Sequence, residues 1–327
     1  MGWKGTLRSI SASMRAAERE SQRRHKQAVK ANISATAADA VQELEDYLES
    51  IVSIHVRDSE PIDWLKIANT PRPLVPQLTQ AKQDEAVSAL ANFKPSLLDR
   101  LSGGTAKRIE KLQLRRDEAA AQDRQEHERA VARHQSELAE WETDTSLARR
   151  LASGETAALK EVIEEMQTLT SDTLIGTRID FEIDENFVHA MPEVHTDEIV
   201  PRTRRKQLSS GSLSETDMPA AQFNELYQDY VSSVALRVAG DMFSLTPLPE
   251  VYVTCFSKML NPTTGHQENM PVLSVHFVRE TFLGLKLARI DPSDSLRNFR
   301  HQMVFKRSKG FSAVEPIAAL RGRLATK

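Results

Sequence analysis

Three carboxylates alternate along Asp180-Phe181-Glu182-Ile183-Asp184, and His189 and His195 follow closely. Alternation puts Asp180, Glu182 and Asp184 on one face of a strand. Carboxylate oxygens beside imidazoles are the donor set of a metal-dependent hydrolase. The same pattern also describes the charged outer face of an antiparallel sheet. A second constellation is basic. Arg202, Arg204, Arg205 and Lys206 lie in a polar segment that continues through Ser209-Ser210-Gly211-Ser212. Arg23, Arg24 and Lys26 belong to an N-terminal arm whose first 30 residues hold eight bases and two acids. Flexible bases of this kind can hold phosphates, so both groups are candidates for nucleic-acid contact, with a solvated surface as the plain alternative.

Several chemistries have no visible machinery. Neither G-x-G-x-x-G nor G-x-x-x-x-G-K-[ST] occurs, and no serine sits in a G-x-S-x-G turn. Cys255, the single cysteine, has no cationic neighbour in sequence and reads as a small buried hydrophobe. No catalytic residue is assigned, no cofactor is expected, and a non-enzyme is the favoured reading.

These residues need elements to place them. The chain has 327 residues and a net charge of −3, which suggests two domains and excludes a uniformly basic coat for nucleic acid. One cysteine excludes an internal disulfide framework, and no apolar run is long enough to span a bilayer, so the cytoplasm is the expected compartment. Residues 1–34 form the basic arm. Residues 35–171 read as helical, with a Pro-rich linker at 70–76. Residues 105–151 lack Pro and Gly and carry ten bases and ten acids, so one long charged helix is expected. It turns at Ser153-Gly154 into a second helix, making a helical hairpin. From 172 the period changes from 3.6 to 2, and an α+β domain with an antiparallel or mixed sheet follows. Its strongest helix signal is 220–245, where Phe223, Leu226, Tyr227, Tyr230, Val231, Val234, Val238 and Met242 share a face.

Five segments carry a likeness: Glu60–Trp64, Glu225–Val231, Asn261–His266, Asp291–Ser295 and Phe305–Phe311. Through them the chain resembles a family of bacterial proteins without an assigned activity. The stretch from Tyr227 to about Phe299 is distantly similar to the domain that precedes the nuclease domain in some Mrr-like restriction endonucleases. That resemblance implies a DNA-linked setting in defence or stress, but no counterpart of the nuclease half. A nuclease of that type needs an Asp on one core strand and Glu-x-Lys on the next, and strands 251–258 and 272–279 contain no acid.

The leading expectation is a non-catalytic scaffold or accessory protein of a bacterial assembly. It would meet a protein partner or a second copy through the long helices, coiled-coil fashion, with DNA as a further candidate partner. One alternative is a metal-dependent hydrolase on the Asp180/Glu182/Asp184 face. Another is peripheral membrane association through the arm, where Trp3, Leu7, Ile10 and Met14 recur at helical spacing, although membrane contact is not favoured.

Overall fold

The computed structural model describes residues 2–3, 37–56, 61–95, 104–169, 174–209, 212–261 and 263–317, with no side-chain placement for 166–169. The chain is an α+β protein that divides into two compact units, Trp3–Leu65 with Ala148–Lys327, and Lys66–Leu147. The arm residues Arg23, Arg24 and Lys26 lie outside the described residues.

The larger unit is built on a mixed sheet of strands β1 (Arg178–Ile183), β2 (Phe187–Glu193), β5 (Glu250–Leu260), β6 (Gln267–Val278), β7 (Arg300–Lys306) and β8 (Gly310–Ser312), in that spatial order. Only β2 and β5 run parallel. The crossover between them holds a separate hairpin, β3 (Thr203–Gln207) with β4 (Leu213–Asp217), and helix α6 (Ala220–Leu245). Helix α1 (Ala37–Val52) and α5 (Thr156–Leu169) belong to the same unit, as do α7 (Arg279–Leu283) and α8 (Pro292–Ser295), while the unit boundary falls within the short α2 (Trp64–Ala68), after Leu65.

Helix α6 is the centre of this unit. Every residue from Tyr230 to Ala239 is buried. A helix apolar all round belongs inside a core, not on its surface. Here β5 lines one side, with Cys255 Sγ 3.9 Å from Val231 O, and α1 lies against another. Burial then demands that α6's last carbonyls find partners, because an orphaned buried carbonyl costs about 1–3 kcal/mol. Met242 O accepts from Thr246 N–H at 3.0 Å and from its hydroxyl at 2.8 Å. Ser244 O accepts Ile62 N–H at 2.8 Å, and Leu245 O accepts the Trp64 indole N–H at 2.9 Å. Arg279 takes the rest. Its guanidinium donates to Phe243 O at 2.9 Å, to Leu248 O at 2.6 Å and to Thr246 O, while lying over the Phe243 ring.

The smaller unit holds α3 (Ala81–Ala91) and most of the 49-residue helix α4 (Gly104–Ala152). Gln80 gives α3 no side-chain cap. Asp123 of α4 substitutes, accepting the Gln83 N–H at 2.9 Å, and Lys82 pairs with Glu126 one turn away. The shielded positions Leu112, Asp123, His134 and Thr145 on α4 recur every eleven residues, the spacing of a nearly straight helix. Gly154, at φ 75°, ends the helix in the left-handed region, and Arg150 reaches back to Glu155 at 2.8 Å and Glu161 at 3.1 Å across the turn into α5.

The Arg279 fork generates a prediction. Replacing it by Ala orphans three carbonyls, so urea unfolding should show a loss of about 3 kcal/mol or more. Arg279→Lys should recover less than half of that, since an ammonium cannot serve three divergent acceptors in fixed geometry. A loss below about 1 kcal/mol for the Ala variant would show that solvent or neighbours replace the fork.

Candidate functional site

The carboxylate strand is an edge, not a metal centre. Asp180 is held by Arg178 at 2.8 Å, two residues along β1. Glu182 lies 3.9 Å from His189 Nδ1, and these are the two members of the expected set that meet. His189 is buried, and its Nε2 is occupied by Thr254 Oγ1 at 2.8 Å. Thr254 Oγ1 in turn meets Ser274 Oγ at 2.8 Å, and that oxygen accepts Ile317 N–H. Burial lowers the His189 pKa, with Glu182 opposing. The backbone of Asp184 closes the β1–β2 turn through Phe187 O. His195 lies beyond β2, its N–H donating to Tyr230 Oη at 3.1 Å and its carbonyl accepting from Tyr227 at 2.8 Å. Among the described residues no group of three or more His, Cys, Asp or Glu could hold a metal ion. Of the expected set Asp180, Glu182, Asp184, His189 and His195, the described structure brings Glu182 and His189 together. A first strand with alternating exposure presents charge to solvent, which discourages edge-to-edge pairing.

The basic segment is also not the loose loop expected of it. Arg204, Arg205 and Lys206 sit on β3, whose partner strand carries acids. Arg205 pairs with Glu215 at 2.6 Å, Arg204 Nε donates to Thr216 at 3.0 Å, and Arg202 pairs with Asp197 at 2.8 Å while covering the Phe223 ring at 4.1 Å. Opposed charges across a two-stranded ribbon give it pairing energy that a sequence without apolar alternation does not advertise. Arg204 and Lys206 remain exposed. Trp3, the one described member of the arm's apolar stripe, is buried with its ring 5.6 Å from that of Trp64, so it is not a membrane anchor. Among the described residues no helix is long and apolar enough to cross a membrane.

A polar cavity lies elsewhere. A cleft of about 680 Å³ opens between the N-terminal half of α6, the turn around α8, and β7. Three separate stretches of sequence converge there, supplying Glu225 and Asp229, then Asp291, Ser293 and Asp294, then Phe305 and Arg307. Local chemistry explains each placement. Asp291 caps α8 by accepting the Asp294 N–H at 2.8 Å, with Pro292 at the first helical position. Gly310 holds φ 78° in the β7–β8 turn, and Asn224 fixes that turn through Arg307 O at 2.7 Å. Arg307 pairs with Glu225, and Arg297 with Asp294 at 3.0 Å.

Among the described residues the other two acids of the cleft are Asp229 and Asp291, and Ser293 sits beside both. Ser293 Oγ donates to Asp291 Oδ1 at 2.9 Å. A hydroxyl has one proton, so Ser293 can serve only one of the two carboxylates at a time. Burial pushes the Asp229 carboxyl up to about 6, a Ser293 hydrogen bond pulls the other way, and the charges of Asp291, Glu225 and Asp294 add to the rise. A half-buried carboxyl that holds its proton near pH 6 could act as an acid or base, or receive a donor group from a ligand. His301 faces the cleft with Nδ1 donating to Phe299 O at 3.1 Å. Sequence patterns missed Asp229 because its burial comes from α8 and β7, over 60 residues later; the available signal was an acid abutting the wide apolar face of α6.

The pH dependence has a definite sign. Asp229 titrates near 3.8 when unfolded and near 6 when folded. The extra bound proton stabilises the folded state fully below about pH 4, and that contribution is lost as pH rises through about 6. Asp229→Asn removes the loss. Urea unfolding should show the variant more stable than the parent by about 1–2 kcal/mol at about pH 8, allowing for partial solvent exposure, and little different at about pH 4. Equal stability of the two proteins at both pH values would refute the raised carboxyl. No family model, curated protein or solved structure matches this chain, so the cleft is read from its own chemistry.

Proposed function

We propose that this is a non-catalytic adaptor: a rigid α+β unit joined to a long charged helical arm that meets a partner protein. The observation that carries this reading is the arm. Gly104–Ala152 rises about 70 Å at 1.5 Å per residue and is exposed over most of its surface, while carrying no constellation suited to catalysis. The second support is the fate of the reactive side chains in the larger unit. His55 meets Ser233 Oγ at 2.8 Å and Leu287 O at 3.1 Å, His189 meets Thr254, and Cys255 is fully buried with its thiol pKa pushed up by burial. Each is committed to the fold.

The narrower form of the proposal places the adaptor in a bacterial, DNA-linked assembly, as the resemblance implies. The described residues favour protein over phosphate as the first partner, because Asp197, Glu215 and Asp217 offset the hairpin's bases. Two exposed bases, Arg204 and Lys206, would give a log–log salt slope of about −2 for duplex DNA. Two measurements on the intact protein test the reading. Cross-linking in the native cell should place most protein adducts between 66 and 147. A salt slope steeper than about −5 would make DNA the primary partner instead. Turnover of any substrate that Asp229→Asn abolishes would replace the adaptor with an enzyme.

A further inference from the structure

The smaller unit displays an apolar segment that its own packing does not explain. Pro71-Arg72-Pro73-Leu74-Val75-Pro76-Gln77-Leu78 has no helix or strand, and residues 71–79 make no backbone–backbone hydrogen bond to another described residue. Its prolines fix φ near −65°, and each disfavours helix at the residue before it, so Thr70, Arg72 and Val75 are extended as well. These constraints favour a polyproline II backbone, with three residues per turn. Burial follows the same period. Pro73 and Pro76 are half-buried, whereas Pro71, Leu74 and Gln77 lie exposed along a second edge, and Arg72, Val75 and Leu78 along a third. Leu74 is 93% exposed and Val75 74%.

The segment is nevertheless held at both ends by α4. Trp141 donates its indole N–H to Thr70 O at 2.8 Å, and Asp123 accepts Gln83 N–H at 2.9 Å. These anchors are 18 residues apart on α4, about 27 Å along its axis. The strap is thus tethered at both ends with two of its three edges outward, which reduces the conformational freedom lost on binding.

We propose that residues 71–78 are a ligand: a preformed proline-rich strap that inserts Leu74 and Val75 into a groove lined by aromatic rings on a partner protein. Such grooves read polyproline II ligands because the helix leaves its backbone unpaired and its edges open. Arg72 lies on the same edge as Val75, so the groove has an acidic rim on that side. The inference rests on the adaptor reading and names the chemistry of its partner.

A photo-activated cross-linker placed at position 74, and separately at the exposed Leu114 of α4, tests it in the cell that makes the protein. The expected result is one protein adduct from position 74, with the linked peptide mapping to a groove of Tyr, Trp or Phe. Binding between the purified pair should weaken at least tenfold in Leu74→Ala/Val75→Ala and in Arg72→Glu, persist in Leu74→Met/Val75→Ile, and leave thermal unfolding of all three variants unchanged. Adducts from 114 but none from 74 would overturn the strap and keep the adaptor. No protein adduct from either position would overturn both. A linked site on a helix or sheet edge without aromatic rings, or on lipid or nucleic acid, would overturn the proposed partner chemistry.

Discussion

A 26-residue helix with its middle turns sealed from water on every side dictates most of the larger unit. Apolar burial drives α6 inward, at about 1.5–3 kcal/mol for each large side chain, but the helix carries polar groups with it. Ser233, Arg237 and Asp241 are buried on it, and so are Tyr227 and Tyr230. None is tolerable alone. Arg237 and Asp241 pair one turn apart at 3.1 Å, and Arg237 also donates to Ile54 O. Ser233 Oγ accepts His55 N–H at 3.0 Å and lies 2.8 Å from His55 Nδ1. Tyr227 and Tyr230 bind the chain around His195 and Leu174. Many of the partners come from far along the sequence, so satisfying one helix stitches Ile54, His55, Ile62, Trp64, Leu174, His195 and Arg279 into a single core. His55 shows how strict the demand is. Burial lowers its pKa, although the Leu287 carbonyl favours the charged form.

The same helix explains where chemistry is still available. Its middle turns are sealed, and its first turns are not. Between Phe223 and Tyr230 the pattern alternates between buried aromatic rings and half-buried polar residues, among them Glu225, Gln228 and Asp229. This is where α6 leaves the sheet and meets α8 and β7. The cleft is therefore a by-product of topology: a core helix must emerge somewhere, and its polar flank there is only partly covered. Asp229 is deep enough to be desolvated and sits among other acids, so its raised pKa follows from position without any special partner.

How much of this was legible in the sequence depends on whether the cause was local. The strand signals at 251–258 and 272–279 and the core helix carry their periods openly, although β6 starts earlier, at Gln267, and passes through Pro271, and the Asp291-Pro292 cap reads directly as a helix start. The charge on β1 was legible as a charged face; that β1 is an edge strand is a fact about its neighbours, which no spacing within 178–183 records. The 203–217 hairpin was hidden because neither face is apolar and its stability lies in cross-strand pairs such as Arg205–Glu215. On α4 the shielded seam is interrupted by Asp123, His127 and His134 among its Leu and Ala, so an unbroken hydrophobic period of eleven never forms. Asp123 is the extreme case. Its role is to cap a helix 40 residues away, and only the fold brings the two together.

That polar seam also bears on how the arm stays ordered. With few apolar positions packed, α4 must be helical chiefly through local terms: residues of high propensity, no interior Pro or Gly, and opposite charges at three- and four-residue spacing such as Arg124/Glu128 and Arg133/Glu137. Each such pair contributes only about 0.2–0.5 kcal/mol, but 49 residues dilute the fixed cost of helix nucleation. A helix that forms from its own sequence does not need a partner in order to fold. Its exposed side chains are then presented on a scaffold already rigid, and association loses side-chain freedom but no backbone freedom. Surfaces of that kind suit contacts that form and release reversibly, because neither state is unfolded. The larger unit is organised in the opposite sense, with its polar groups turned inward to hold one buried helix.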